Sequence, residues 1–438
     1  MTKDEIIKKH KQYLFPSIFT YYSEPLVTDH ASMQYVWDAA GKKYLDFFGG
    51  IVTISVGHAN PRITSKIKAQ VDKLQHASTV FPNEAVVALA EKIAQITPGE
   101  ISQSFFTNSG TEANETAIQL ARIHTGHYEV VALRHGYSGR SQLAQGLTGH
   151  NTWRKSLPGT QGVVHALNAY CYRCPLGKTY PSCEVACAKD VEAVIQTTTS
   201  GQIAAFIAEP IQGVGGFVTP PKEYFKIVFK IVKDYGGLFI SDEVQTGWGR
   251  TGKRWFGIEQ WEVTPDIITA AKGMANGVPV GGTFTRPDIA ASFKGLQIST
   301  FGGNPVTSVA ARATIDLIEE DRLMDNAATV GEYFRHGLED LKQKHELIGD
   351  VRGMGLMQAL EFVKDRTSKE PAAQETGQFM EECRKRGLLI GKGGFYGNVV
   401  RMSPPLNIVK SDVDEAIRVM DEALMALVPA AVGAGKAR

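Results

Sequence analysis

The stretch at residues 238–282, LFISDEVQTGWGRTGKRWFGIEQWEVTPDIITAAKGMANGVPVGG, decides the fold. Its apolar opening reads as a strand that delivers Asp242 at its end, with Gln245 three positions later. A second apolar frame, PDIITAAK, ends on Lys272. Lysine is a costly choice at the end of a buried strand. Desolvation penalises the ammonium, lowers its pKa and frees the amine as a nucleophile. Such an amine can form a Schiff base with an aldehyde. A carboxylate from a neighbouring strand, Asp242, can hold a pyridine nitrogen protonated, which makes the ring an electron sink. Taken singly, Asp242 also reads as a helix cap and Lys272 as a side chain snorkelling from a strand end.

Upstream, ISQSFFTNSGTEANETAIQLAR reads as a short strand over 103–107 running into a helix. Ala113, Ala117, Leu120 and Ala121 share one helical face, which puts the helix start at Ser109, Gly110 and Thr111. Glycine there lets the backbone approach closely, and the free amides and hydroxyls of such a turn make an anion site, although Ser-Gly-Thr alone also reads as an ordinary N-cap. The segment EVVALRHGYSGRS is a strand followed by a glycine-punctuated loop carrying Tyr137. GQIAAFIAEP is a buried strand ending in Glu209, where ligand sites form in open α/β sheets; a structural salt bridge is the plainer reading. Arg401 lies between apolar and proline-rich residues in VVRMSPPLNI, and QISTFGGNPV forms a tight loop containing Thr300.

The motifs DEVQTGWGRTG and AKGMANGVPVGG, in this order behind the Ser109–Gly110–Thr111 turn, resemble the class III pyridoxal-phosphate aminotransferases from about residue 20 to about 425. The resemblance implies pyridoxal 5'-phosphate as cofactor and the type I fold of such enzymes. That fold is a large α/β domain with a mostly parallel sheet plus a smaller α+β domain. It also implies roles: Lys272 as the Schiff-base lysine and proton carrier, Asp242 at the ring nitrogen, Gln245 at the ring hydroxyl and Tyr137 stacked on the ring. Ser109, Gly110 and Thr111 would hold the phosphate, with Thr300 reaching the phosphate of a neighbouring subunit. Glu209 would pair with a mobile Arg401 that receives substrate carboxylates. Family members usually place histidine after the stacking aromatic; this chain has Ser138, which puts that neighbouring contact in doubt.

The implied reaction is transfer of an amino group from an amino acid or ω-amino acid to a 2-oxo acid. RMSPPL and STFGGNP point towards the alanine–glyoxylate and ω-amino-acid:pyruvate branch. A GABA- or diamine-type ω-aminotransferase, a same-scaffold decarboxylase and an aminomutase remain open, because cofactor residues fix the electron sink and not the bond broken. A shared Thr300 implies a homodimer or a dimer of dimers.

The 438 residues are 43% hydrophobic and 21% charged, an ordinary globular composition. Lys plus Arg total 47 against 46 for Asp plus Glu, a formal net charge of +1, so electrostatics gives no reason to expect nucleic acid or membrane as a partner. No apolar run is long enough to span a bilayer, and MTKDEIIKKHKQYLF lacks the apolar core of a signal peptide, so a cytoplasmic location is expected. The tail VPAAVGAGKAR is expected to fray.

Four of the five cysteines, Cys171, Cys174, Cys183 and Cys187, fall in CYRCPLGKTYPSCEVAC. Such spacing can hold zinc or an iron–sulfur cluster, but the gap is shorter than in the usual zinc modules. The preferred expectation is no metal and a compact loop of free thiols near the active-site mouth. A hairpin is expected over 35–37 and 44–47, a helix start at Asn60-Pro61, a helix over 332–345, and strands over 355–362 and 387–390. Three units follow: an N-terminal segment (1–49) joining the small domain, a cofactor-binding domain (50–325) and a C-terminal small domain (326–438). Lys392 reads as a solvated turn residue that could reach the substrate entrance.

Overall fold

The computed structural model describes residues 1–154 and 159–427. The N-terminal antiparallel strands are β1 (Thr28–Ser32), β2 (Tyr35–Asp38) and β3 (Lys43–Asp46). The expected hairpin is therefore present, its first strand one residue longer and its second displaced by one residue. Asn60 caps the helix Pro61–Lys73, its side chain accepting from the Arg62 N–H.

Seven strands form the central sheet: β4 (Gln103–Thr107), β5 (Val130–Leu133), β6 (Val163–Ala166), β7 (Ala205–Ala208), β8 (Leu238–Asp242), β9 (Ile267–Ala270) and β10 (Gly281–Thr285). Their order is β4-β10-β9-β8-β7-β5-β6. Only β10 is antiparallel to its two neighbours, so the sheet is mostly parallel, as expected. Strands β5, β7, β8 and β9 are buried throughout, because helices cover both faces. Val130, Ala132, Ile207 and Ile240 pack on one face with Ala117, Ile118 and Ala121 of the helix Gly110–Thr125. Val131, Leu133, Phe206 and Phe239 turn to the other face and join Phe225, Val228 and Val232 of the helix Tyr224–Asp234. The period-two alternation of a strand feeds two apolar cores at once.

The C-terminal region adds β11 (Ile348–Met354), β12 (Met357–Phe362), β13 (Leu388–Leu389), β14 (Gly391–Gly393) and β15 (Val399–Met402). The strand expected over 355–362 begins two residues later, because Gly355 (φ +53°) is part of the tight turn from β11. The strand expected over 387–390 is only β13, which pairs in parallel with β3 and so ties the N-terminal segment to the C-terminal sheet region. The helix expected over 332–345 is the second half of a longer one, Leu323–Lys344. Gly49, Gly50 and Ile51 form a short kinked turn of helix with all three at positive φ. The tail at 428–438 lies outside the described residues. No helix among those described is long and apolar enough to cross a membrane.

Candidate active site

The carboxyl ends of the parallel strands, together with the start of the helix after β4, frame a cavity of about 420 Å³. Ser109, Gly110, Thr111, Tyr137, Glu209, Asp242, Gln245, Lys272 and Arg401 all line it. Six chain segments thus meet where the crevice of an open α/β sheet falls. Thr300 is the one expected site residue that stands apart: it is exposed on the 295–302 loop and does not line the cavity.

Lys272 follows β9 by two residues and adopts φ +45°, a left-handed conformation that costs a non-glycine residue about 1–2 kcal/mol. The open part of its surface faces the cavity. Burial pushes its amine from the ordinary 10.5 down to about 8, against the pull of the Glu209 and Asp242 carboxylates and with a push from Arg401. Asp242, at the end of β8, is 2% exposed. Its Oδ2 accepts from Asn114 Nδ2 at 2.8 Å and its Oδ1 from the Val244 N–H at 3.1 Å. Burial raises its pKa; the Asn114 amide, the Val244 N–H and Lys272 hold it back.

The next carboxylate, Glu243, faces away into a closed hydrogen-bond set. It accepts from Ser241 Oγ at 2.9 Å, the Gly257 N–H at 2.7 Å, the Ile258 N–H at 2.8 Å and Thr246. This strap clamps the turn that carries Asp242 and Gln245. Gln245 packs so closely on Gly213 that a Cβ there would lie 2.3 Å from its amide, and its buried Oε1 has no hydrogen-bond partner among the described residues.

Ser109 is the N-cap of the helix Gly110–Thr125, accepting from the Glu112 N–H at 3.4 Å. A Cβ on Gly110 would meet Val244 Cγ2 at 2.9 Å, so the glycine is required by the approach of the two turns. Thr111 Oγ1 shares a 2.7 Å hydrogen bond with Ser141 Oγ. Tyr137 stacks edge-on with Trp153, the ring centroids 5.7 Å apart. Ser138, in place of the family histidine, donates its N–H to Thr148 Oγ1 at 3.1 Å.

Glu209 and Arg401 form no ion pair with each other here; each bonds to Gly213 instead. Glu209 Oε2 accepts from the Gly213 N–H at 2.8 Å and Oε1 from the Tyr137 N–H at 3.0 Å. Burial first, then Asp242, raises the pKa of Glu209. Arg401, on β15, donates Nη1 to the Gly213 carbonyl at 3.1 Å and Nη2 to the Lys392 carbonyl at 2.9 Å. Lys392 therefore meets the site through its backbone.

Sequence reading missed several cavity residues. Phe19, Tyr21 and Trp153 make an aromatic wall, with centroids 5.5 Å (Phe19–Tyr21) and 6.0 Å (Phe19–Trp153) apart. Asn114 and Arg140 also line the cavity. Arg140 has no ion-pair partner among the described residues. The four clustered cysteines are free thiols around a separate void of about 20 Å³. Among the described residues no group of three His, Cys, Asp or Glu side chains is placed to hold a metal ion.

The family model for aminotransferase class III matches residues 20–424. The chain is 44% identical over 419 residues to the mitochondrial alanine–glyoxylate aminotransferase 2 homolog 2 of Arabidopsis thaliana, covering 95% of this chain and 87% of that one. It is 38% identical over 429 residues to a leucine/methionine racemase of Thermococcus litoralis, covering 97% and 96%. Among solved structures, a thermostable (S)-enantioselective omega-transaminase from Thermomicrobium roseum superposes with a TM-score of 0.90 at 32% identity, covering 98% and 99%. The chain belongs to the class III aminotransferases, pyridoxal-phosphate-dependent transferases that pass an amino group to a 2-oxo acid.

Proposed function

We propose that this enzyme takes an amino group from an amino acid or ω-amino acid and delivers it to pyruvate or glyoxylate. The observation that carries the reading is the convergence of Lys272, Asp242 and Gln245 with the Ser109–Gly110–Thr111 helix start on one cavity. The residues present fit pyridoxal phosphate: the helix start suits a phosphate, the buried carboxylate a protonated ring nitrogen, and the partnerless Gln245 Oε1 a ring hydroxyl. When bound, the cofactor supplies an aldehyde and an electron-withdrawing ring.

Lys272 Nζ, with its lowered pKa, takes the proton from the amino-bearing carbon of the substrate and returns it in the reverse half-reaction. With the cofactor bound, Asp242 would keep the ring nitrogen charged and Tyr137 would pack against the ring, and Thr300 would serve the site of a partner subunit in a homodimer. The exposed Leu296, Ile298 and Phe301 around Thr300 support that last assignment, as an apolar loop suited to burial. Arg401 receives a substrate carboxylate by leaving the Gly213 and Lys392 carbonyls, and Glu209 neutralises it when an uncharged end arrives. Arg140 supplies a second guanidinium for substrates with two carboxylates.

The same reading divides the chain at about residues 49 and 325; the pairing of β13 with β3 supports joining the N-terminal segment to the C-terminal unit. For location, the free thiols fit a reducing compartment, and cell fractionation separates the cytoplasm from the mitochondrion, the location of the Arabidopsis relative by its name. The deciding experiment is the visible spectrum of the holoenzyme titrated with alanine and then pyruvate. The cofactor band should fall with alanine and return with pyruvate, and be lost as such in Lys272→Ala. A band indifferent to alanine would sink the donor assignment, and turnover without any 2-oxo acid would favour a decarboxylase or mutase.

A further inference from the structure

One amide inside the helix Gly110–Thr125 ties four parts of the site together. Asn114 is 1% exposed and spends every hydrogen-bonding group of its side chain. Nδ2 donates to Asp242 Oδ2 at 2.8 Å and to the Ser138 backbone carbonyl at 2.9 Å. Oδ1 accepts from Thr269 Oγ1 at 2.7 Å. A backbone carbonyl can only accept, so the Ser138 contact fixes which end of the amide is nitrogen. The remaining N–H must then point at Asp242, and the buried Thr269 hydroxyl must donate to the oxygen. The amide cannot flip without facing acceptor to acceptor at two sites.

The consequence for Asp242 is specific. Its Oδ1 is already committed to the Val244 N–H, within its own turn. Among the described residues the Asn114 bond is its one side-chain hydrogen bond, and it comes from the helix whose start is the candidate phosphate turn. A hydrogen bond to an ionised acceptor is roughly twice as strong as a neutral one, so the amide favours the carboxylate over the acid in a place where burial works the other way. The third bond links this to the loop of Tyr137. We propose that Asn114 is a positioning residue that orients Asp242 and supports its charged form, so that the ring-nitrogen contact, the stacking loop and the phosphate turn are set by one side chain. The proposal rests on the assignment of Asp242 to the cofactor ring nitrogen.

The test is a double-mutant cycle on the equilibrium dissociation constant of pyridoxal phosphate. Asn114→Ala, Asp242→Asn and the double variant are each stripped of cofactor and titrated back. With Asp242 present, Asn114→Ala should weaken binding by about tenfold or more, the range of a charge-assisted hydrogen bond. With Asn at 242 the same change should cost no more than about twofold, because no charge remains to support. Equal losses in both backgrounds mean that Asn114 only holds the fold, and the proposal falls while the Asp242 assignment stands. If Asp242→Asn alone leaves affinity and cofactor absorption unchanged, the Asp242 assignment fails and takes the proposal with it. Should Asn114→Ala not fold, Thr269→Val carries the cycle: it removes only the hydroxyl that orders the amide. It should then weaken binding by about threefold with Asp242 and not measurably with Asn at 242.

Discussion

The Lys272 amine is held at about 8, against 10.5 for an ordinary lysine, chiefly by burial. At pH 7 that leaves about 10% of the amine unprotonated, where an ordinary lysine has about 0.03%, a difference of about 300-fold in nucleophile. The perturbation is a pH series from 6 to 11 on the cofactor-free protein. Each sample receives a brief pulse of acetic anhydride, and mass spectrometry reads acetylation at Lys272 against the exposed Lys222. Labelling of Lys272 should rise with a midpoint near 8. A midpoint at or above about 10 would refute the claim that the site desolvates this amine.

The same shift has a thermodynamic sign. Between about pH 8 and 10.5 the unfolded chain binds the proton that the folded chain has lost, so stability rises with pH through that window. The protonated folded state below it carries a penalty of about 3 kcal/mol, from about 1.4 kcal/mol per decade. Lys272→Met should therefore stabilise the cofactor-free protein most below pH 8, with the advantage closing by about pH 10.5. An advantage independent of pH would point to packing, not charge.

Three further outcomes follow from the same geometry. Gly213→Ala drives a methyl into the Gln245 amide, and overpacking of this kind costs about 1–3 kcal/mol; cofactor affinity by titration should fall, while Gly213→Ala in a Gln245→Ala background should change little. Arg140→Gln should raise KM for dicarboxylic donors or acceptors by about tenfold or more and leave alanine kinetics within about twofold, as steady-state assays with each substrate will show. Glu243→Ala leaves four buried donors without an acceptor and should lower stability by about 3 kcal/mol or more, read as a urea midpoint.

What the sequence disclosed were the features coded by local pattern. The strand ends that deliver Glu209 and Asp242, the lysine after β9 and the helix start at Ser109 each follow from an apolar run meeting a turn. What it concealed was set by segments far apart in the chain. Asn114 drew no reading, because nothing nearby in sequence announces Thr269 or Ser138 as its partners. The aromatic wall joins Phe19 and Tyr21 to Trp153 across more than a hundred residues. β11 was missed because Gly349 and Gly353 interrupt its apolar pattern, and only pairing with β12 makes it a strand. The positions of Glu209 and Arg401 were found, but not their common attachment to Gly213, because backbone groups leave no mark in a string of side chains.

The antiparallel strand β10 has a consequence for how this catalyst can vary. Gly281 pairs with Thr107 and Gly282 with Ala270, so one strand stands between the end leading to Ser109 and the end leading to Lys272. Two ladder spacings, about 9.6 Å, then separate those strand ends, and peptide groups impose that interval whatever side chains surround it. β10 acts as a ruler built of backbone. Loops around it can change in length and chemistry without altering the interval from the Ser109 turn to Lys272, because no loop residue sets it.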